Sequence, residues 1–382
     1  MRLGVYTDYS YTSEDGAVYA ERAFILFLAE LAQHVDGVVL LGRLDPSPGR
    51  SHYPVPASIE FVALPHYRSA ANPFGVARAA AGSVRRFWAA LRAVDAVWLL
   101  GPNPLALVFA ALARLRGARI VLGVRQDLRE YARRRHPRKP WVWAAAALLE
   151  RAYRVLARRH PVVVVGPALV ERYRKAPRRL ELYVSLVRAA EIVDEPNARS
   201  YDGELRALSV GRLEREKNPL LLADVLAQLR RDDPRWRLVV CGEGPLAASL
   251  EQRLTALGVR EHAELRGYVR FGSDLQALYR ESHAFLHVSL TEGLPQVLFE
   301  AFAAALPTVA TAVGGVPALA REAALLVPPA DADAVAAALR RLAGDAQVRE
   351  ALTAAGRVCA RRHTLESETA RLRAFIEDAL AA

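Results

Sequence analysis

Cysteine is nearly absent from this sequence of 382 residues: there are two, Cys241 and Cys359, in unrelated contexts. That excludes a disulfide-stapled scaffold and a multi-cysteine zinc site, and it fits a reducing compartment. Long apolar runs are missing as well. The longest, Ala96 to Ala113, is broken by Gly101-Pro102-Asn103-Pro104, so nothing approaches the ~20 unbroken apolar residues of a spanning helix. The first residues, Met1-Arg-Leu-Gly-Val-Tyr-Thr-Asp, read as a strand and lack the apolar core of about 7 to 15 residues found in a secretion signal. A cytoplasmic protein is expected. Recognition-helix, RNA-binding and zinc-finger signatures are also lacking, which argues against nucleic acid as a partner despite a net charge of +11.

Acidic residues are scarce in one region only. Residues 1–200 hold 30 Lys and Arg against 17 Asp and Glu, whereas 201–382 hold 22 against 24. The excess is densest from Arg114 to Arg179, with 19 basic and 4 acidic side chains, and an anionic neighbour would suit it. Arg129–Lys139 and Arg151–Arg159, with Trp141 and Trp143 as interfacial anchors, suit the anionic headgroups of a membrane, with the protein peripheral on its inner face. A solvated, Arg-rich face is the plainer alternative.

What is present is an ordinary globular composition, 52% apolar and 24% charged, in a chain long enough for two domains at ~150 residues each. Short apolar runs alternate with helical patterns throughout, the signature of repeated βαβ units. Strands are expected at Arg2–Tyr6, Gly37–Leu41, Ile59–Ala63, Ala96–Leu100, Arg119–Val124 and Val162–Val165, with helices at Val18–His34 and Leu105–Arg116 among others. The polar stretch beginning at Glu191 reads as a linker. Beyond it, strands are expected at Arg206–Val210, Arg237–Cys241, Ala263–Leu265, Ala284–Val288, Thr308–Thr311 and Ala324–Val327, with helices from Pro219, Ala247, Leu294, Asp331 and Val348. The economical fold class is α/β, with two tandem Rossmann-like, doubly wound domains facing across a cleft: 1–190, joined by a returning C-terminal helix at 365–382, and 191–364. Ligands of such sheets bind beyond the carboxyl ends of the strands.

Three loops there carry chemistry. In Leu208-Ser-Val-Gly-Arg-Leu-Glu-Arg-Glu-Lys-Asn-Pro, Gly211 permits a tight turn, and Arg212 and Lys217 precede a helix start. Two cations at that position suit a diphosphate; a charged turn with Arg212 paired to Glu214 or Glu216 is the alternative. In Leu290-Thr-Glu-Gly-Leu-Pro-Gln-Val-Leu-Phe-Glu, Pro295 is expected in a first helical turn, with Glu292 in the loop before it. Glu300 then lies roughly 8 to 10 Å further along, at a rise of ~1.5 Å per residue. Both carboxylates can face one ligand, and the amides of Gly293 and Leu294 can hold phosphate oxygens. Glu292 alone would also suit a helix macrodipole, but Glu300, among Val297, Leu298, Phe299, Ala301 and Phe302, needs a partner if it is buried. The third loop, Val313-Gly-Gly-Val-Pro, and the turn Cys241-Gly-Glu-Gly-Pro each read equally as close approach to a ligand or as bare turns.

Arg212 and Lys217, Glu292 and Glu300, then Pro307 and Gly314-Gly315, in this order and spacing, resemble glycosyltransferase family 4, with the GT-B fold, over about Leu205 to Val327. The resemblance implies a retaining glycosyltransferase that moves a sugar from a nucleotide-diphosphate sugar to a hydroxyl acceptor (lipid, glycan or small molecule), with no metal and no cofactor. It implies catalytic roles for Arg212, Lys217, Glu292, Gln126 and Asp127. It implies donor contacts from Gly211, Arg212, Lys217, Glu243, Tyr268, Val269, Glu292, Gly293, Leu294, Pro295, Val297 and Glu300: Arg212 and Lys217 on the diphosphate, Glu292 on the sugar, Glu300 on the ribose. The acceptor side would be Asp15, Gly16 and Arg125. The sequence departs from the family pattern in having only Gly16 where a glycine pair follows strand one, Gln126-Asp127 where His-Asp is usual, and Ala318 where an acid is usual. A nucleotide-sugar-binding protein or an epimerase of the same fold is the other class these residues allow.

Overall fold

The computed structural model describes residues 1–49, 51–67, 73–125, 127–135, 137–195 and 199–381. Gln126 lies outside them. The chain forms two compact units, Met1–Val184 with Leu365–Ala382, and Ser185–Thr364. Ser185–Ala190, assigned to the first domain from sequence, thus group with the second unit.

In the first unit the elements run β1 (Arg2–Glu14), β2 (Ala17–Ala20), α1 (Phe24–Ala32), β3 (Gly37–Pro48), β4 (Tyr53–Pro54), β5 (Ile59–Pro65), α2 (Pro73–Ala90), β6 (Ala96–Gly101), α3 (Pro104–Leu115), β7 (Arg119–Val124), α4 (Leu128–Arg135), α5 (Pro140–Ala157), β8 (Val162–Val164), α6 (Pro167–Arg172) and β9 (Arg179–Glu181). Its parallel strands lie in the order β5-β3-β1-β6-β7-β8-β9, which is doubly wound, with the reversal of direction between β1 and β6. Strands covered on both faces read as continuous apolar runs. Ala96, Val97, Trp98, Leu99 and Leu100 of β6 are accordingly all buried.

The sequence misleads at one place in this unit. The helix expected over Val18–His34 is instead a strand, Ala17–Ala20, followed by the shorter α1. Thr12–Tyr19 form a hairpin in which Glu14 faces Ala17. Asp15 (φ 51°) and Gly16 (φ 78°) form its turn. Two central residues with positive φ are what a two-residue hairpin requires, and Asp-Gly is among its favoured sequences. Val18–Ala20 continue the apolar content of the helix that follows, although the Asp-Gly pair marks the hairpin.

The second unit contains β10 (Leu205–Val210), α7 (Leu220–Asp232), β11 (Trp236–Cys241), α8 (Ala247–Ala256), β12 (Ala263–Leu265), α9 (Ser273–Glu281), β13 (Ala284–His287), α10 (Gln296–Ala303), β14 (Thr308–Thr311), α11 (Val316–Ala320), β15 (Leu325–Val327), α12 (Ala332–Gly344) and α13 (Ala346–Arg362). Its strand order is β12-β11-β10-β13-β14-β15, all parallel, with the reversal between β10 and β13. The loops after those two strands carry the motifs singled out in the sequence. Beyond this unit, α14 (Leu365–Ala381) packs on α1 within the first unit.

Candidate active site

The site in the second unit is built by loops that hold one another. After β10, the amide of Gly211 donates to the Cys241 carbonyl at 2.9 Å and that of Leu213 to the Glu243 carbonyl at 2.8 Å. This close crossing explains the turn after Cys241. A Cβ on Gly242 would fall 1.9 Å from the Gly211 carbonyl oxygen, and one on Gly244 2.6 Å from that of Leu213. These glycines therefore serve packing. Glu243 accepts at 3.3 Å from the amide of Tyr268, so it fixes the loop carrying Tyr268 and Val269.

A short turn, Arg215–Lys217, ends at Asn218 with φ 52°, a conformation Asn tolerates better than most residues. The turn aims Lys217 at Glu292, with which it forms an ion pair. The Leu290 amide donates to the Glu216 carbonyl at 2.8 Å, joining this loop to the one after β13. Arg212 sits between two carboxylates, Glu214 at 2.7 Å and Glu216 at 3.2 Å. Burial, together with its Glu214 neighbour, raises the carboxyl of Glu216 above its ordinary range. The charged-turn alternative and the cationic site are thus both present, since Arg212 is ion-paired and also lines a cavity with Lys217.

Glu292 is the most constrained carboxylate here. Its Oε1 receives Lys217, His287 Nε2 at 3.0 Å and the Ser289 hydroxyl at 2.7 Å. Burial acts to raise its carboxyl, but the Lys217 ammonium and His287 outweigh that and hold it well below the usual carboxylate range. Among the described residues no donor reaches Oε2, which leaves that oxygen free to accept from a ligand hydroxyl. His287, buried at the end of β13, has no partner for its Nδ1 among the described residues.

Gly314 and Gly315 support this loop from behind. A Cβ on Gly314 (φ +53°) would fall 1.8 Å from the Glu292 carbonyl oxygen, and one on Gly315 2.4 Å from that of Gly293. The glycine pair is thus a seat for the Glu292 loop. The helix expected from Leu294 begins at Gln296, and Pro295 precedes it in an extended conformation (φ −76°, ψ 120°), so Gly293, Leu294 and Pro295 are loop.

A cavity of ≈ 250 Å³ is lined by Gly211, Arg212, Lys217, Ser289, Pro295 and Val297, among others. Glu292 is not among its lining residues and meets it through Lys217 and Ser289; Glu300 is not among them either. Its carboxylate accepts from the Tyr279 hydroxyl at 2.9 Å and borders a separate cavity of ≈ 20 Å³ with Leu275 and Tyr279. Burial, reinforced by Glu191 and opposed by the Tyr279 hydrogen bond, lifts its carboxyl to about 7. The two carboxylates therefore occupy different environments rather than sharing one lining. His287, Ser289 and Tyr279 were not singled out in the sequence, because nothing local distinguishes them from core or loop residues.

In the first unit, Asp127 accepts from the Glu130 amide at 3.0 Å, ahead of α4, and pairs with Arg172 at 2.6 Å. Its carboxylate is thus committed to positioning that helix. Asp15 and Gly16 are exposed at the hairpin tip. Arg125 follows β7 directly and lies against Tyr9 and Phe24. Among the described residues no group of three or more His, Cys, Asp or Glu is placed to hold a metal ion, and no helix is long and apolar enough to cross a membrane.

Residues 193–358 match the family model described as glycosyl transferases group 1. The gpi3 subunit of phosphatidylinositol N-acetylglucosaminyltransferase from Schizosaccharomyces pombe is 32% identical over 37% of this chain and 30% of its own length. The D-inositol 3-phosphate glycosyltransferase of Saccharomonospora viridis is 34% identical over 45% of this chain and 42% of its own. The chain thus spans less than half the length of these curated relatives. Among solved structures, sucrose-phosphate synthase from Thermosynechococcus elongatus superposes with a TM-score of 0.77 at 18% identity, covering 100% of this chain and 99% of that one. Anabaena HepE in complex with UDP and glucose gives 0.71 at 16%, covering 99% and 100%. At these identities the likeness is one of fold, and the fold is that of GT-B glycosyltransferases.

Proposed function

We propose, from the match of residues 193–358 to the glycosyl transferases group 1 model, that this protein transfers a sugar from a nucleotide-diphosphate donor to a hydroxyl acceptor, with retention and without a metal ion. The observation that carries this is the juxtaposition of Arg212 and Lys217 on one cavity at the switch point of the second sheet, with Glu292 held beside them. The donor diphosphate takes Arg212 and Lys217 from their carboxylate partners. As the glycosidic bond breaks, charge accumulates on the leaving diphosphate, so these cations stabilise the transition state more than the ground state. The sugar becomes oxocarbenium-like, with one hydroxyl bound by the free Oε2 of Glu292. A diphosphate oxygen accepts the proton of the incoming hydroxyl on the same face, so no side-chain base is required. Glu300, held near neutrality, meets the ribose hydroxyls, and the Tyr268–Val269 backbone meets the base. Asp15, Gly16 and Arg125 belong to the acceptor side, and Asp127 positions.

The test is a thermal-shift panel of UDP, GDP, ADP and dTDP and their sugars, followed by product analysis with acceptor mixtures. A ligand of the native state raises its stability, so one nucleotide series should raise Tm and yield a product with retained anomeric configuration. A response to none overturns the reading; donor altered without transfer indicates an epimerase, and binding without turnover a binding protein.

A second reading concerns location, and exposed apolar residues favour it. Of the six large hydrophobics exposed among the described residues, five lie on α3 and α5: Val108, Leu115, Trp141, Leu148 and Val155. Their seven-residue spacing puts each set on one helix face, and Arg114, Arg151 and Arg154 are exposed on the same helices, with Arg158 exposed at the C-terminal cap of α5. Apolar residues among cations suit an anionic lipid surface. Liposome flotation should recover the protein with anionic but not neutral vesicles, less so as salt rises. Equal recovery with both would sink this reading.

A further inference from the structure

The cations near the carboxyl ends of the first unit's strands fall into two kinds. Arg43 is paired with Asp8 at 3.1 Å, and Arg172 with Glu150 at 2.7 Å as well as with Asp127. Arg125 is of the other kind. Its guanidinium lies 4.7 Å from the ring centroid of Phe24 and 5.5 Å from that of Tyr9. Its Nη1 is shut off from solvent, and no described residue accepts a hydrogen bond from it. Burial alone pushes this guanidinium down to about 10, with no carboxylate acting against the shift.

A buried cation without a counter-charge is costly, and aromatic faces return only part of that cost. A second guanidinium, that of Arg22, sits 4.4 Å from the centroid of the same Tyr9 ring. Two positive groups are therefore gathered on one aromatic platform. Tyr9 lies on the extension of β1 past its last rung with β6, Tyr6 opposite Leu99, and Arg125 is the first residue after β7. This is the ligand-binding end of a doubly wound sheet, beside its switch point.

We infer that Arg125 anchors an oxyanion subsite on the first unit, and that the acceptor hydroxyl arrives on a molecule bearing a phosphoryl group. The second part rests on the transferase reading above; the first rests on this unit alone. A phosphate monoester carries close to two negative charges and accepts the two-pronged donation that the Arg125 guanidinium offers.

Inorganic phosphate is the probe, titrated at constant ionic strength into the full chain and followed by calorimetry. The R212M/K217M double variant removes the donor-side cations and should still bind phosphate. R125M should weaken phosphate binding ~10-fold or more, while its ligand-free Tm stays level or rises because an unpaired buried charge is gone. Unchanged phosphate affinity in R125M, or a lowered Tm with no loss of affinity, would overturn the subsite. R125K, which keeps the charge but not the fork, covers the case in which R125M does not fold; it should weaken binding several-fold, and wild-type affinity would overturn the proposal.

Transfer is then compared between a free sugar, its phosphate monoester, and vesicles displaying a phosphoinositol headgroup. Preference for the monoester marks a soluble acceptor and preference for the vesicles a lipid one. Either preference should collapse in R125M, and equal use of all three by the wild type defeats the acceptor assignment. If no donor is consumed under any condition while phosphate still binds through Arg125, the transferase reading fails and the subsite stands.

Discussion

Glu292 and Glu300 lie on the same loop-and-helix segment and are displaced in opposite directions. Glu292 sits at the ends of strands, where three donors converge on one oxygen, and the result is a fixed anion. Glu300 sits inside α10 with a single hydroxyl partner, and burial leaves it half-protonated near neutrality. Two glutamates eight residues apart therefore differ in charge because one is supplied by loops from neighbouring strands and the other by the packing of one helix against another. A fixed anion can orient a sugar hydroxyl and balance Lys217. A carboxyl poised near 7 can both donate to and accept from a diol.

The largest effect should follow from removing the cation that distinguishes the two. Lys217→Ala should cut turnover ~10²-fold or more, by analogy with loss of an oxyanion donor, and near-native transfer rates would sink the donor-site assignment. Gly314→Ala should act on Glu292 alone, because the new Cβ strikes that residue's carbonyl at a positive φ. We expect about 2 to 3 kcal/mol of destabilisation by chemical denaturation, with the pH behaviour due to Glu300 intact; wild-type stability would mean the glycine seat is dispensable. The effect at Glu300 is conditional, since it vanishes at low pH. Its folded value, about 7, lies above its ordinary 4.5, so the folded state favours the protonated carboxyl. The associated stability is complete below pH 4.5 and is lost as pH rises through 7. Glu300→Gln mimics the protonated form: its Tm should match wild type at pH 4 and exceed it at pH 8, by ~3 kcal/mol when expressed as stability. A pH-independent difference between the two proteins would remove the contrast between the carboxylates.

Much of the fold was legible because doubly wound sheets announce themselves through alternating apolar strands and amphipathic helices. Arg119–Val124, Ala263–Leu265 and Thr308–Thr311 fall where the pattern placed them. The hairpin after β1 was not, because Val18–Ala20 continues the apolar content of α1 and the Asp-Gly signal was outweighed. Of the candidate site, Arg212, Lys217 and Glu292 do come together, and the spacing that pointed to them reflects loops at adjacent strand ends. The rest depends on partners distant in sequence. Tyr279 reaches Glu300 from α9, and the glycine pair at 314 and 315 acts on residues about 20 positions earlier. Arg125 was placed on the acceptor side, but its lack of a counter-charge is a property of the space around it, which a sequence does not display.

The assignment of α14 to the first unit bears on how the protein is made. Glu368, fully buried, binds Arg371 and the amide of Tyr183, while Leu372 and Ile376 are buried with it. A nascent chain therefore completes its second unit, which is continuous in sequence, before its first, which waits for residues beyond 364. Vectorial synthesis ordinarily finishes the N-terminal domain earliest; here that order is inverted. A chain truncated after α13 would hold every element of the second unit while leaving α1 of the first uncovered, the species on which a chaperone or a protease would act.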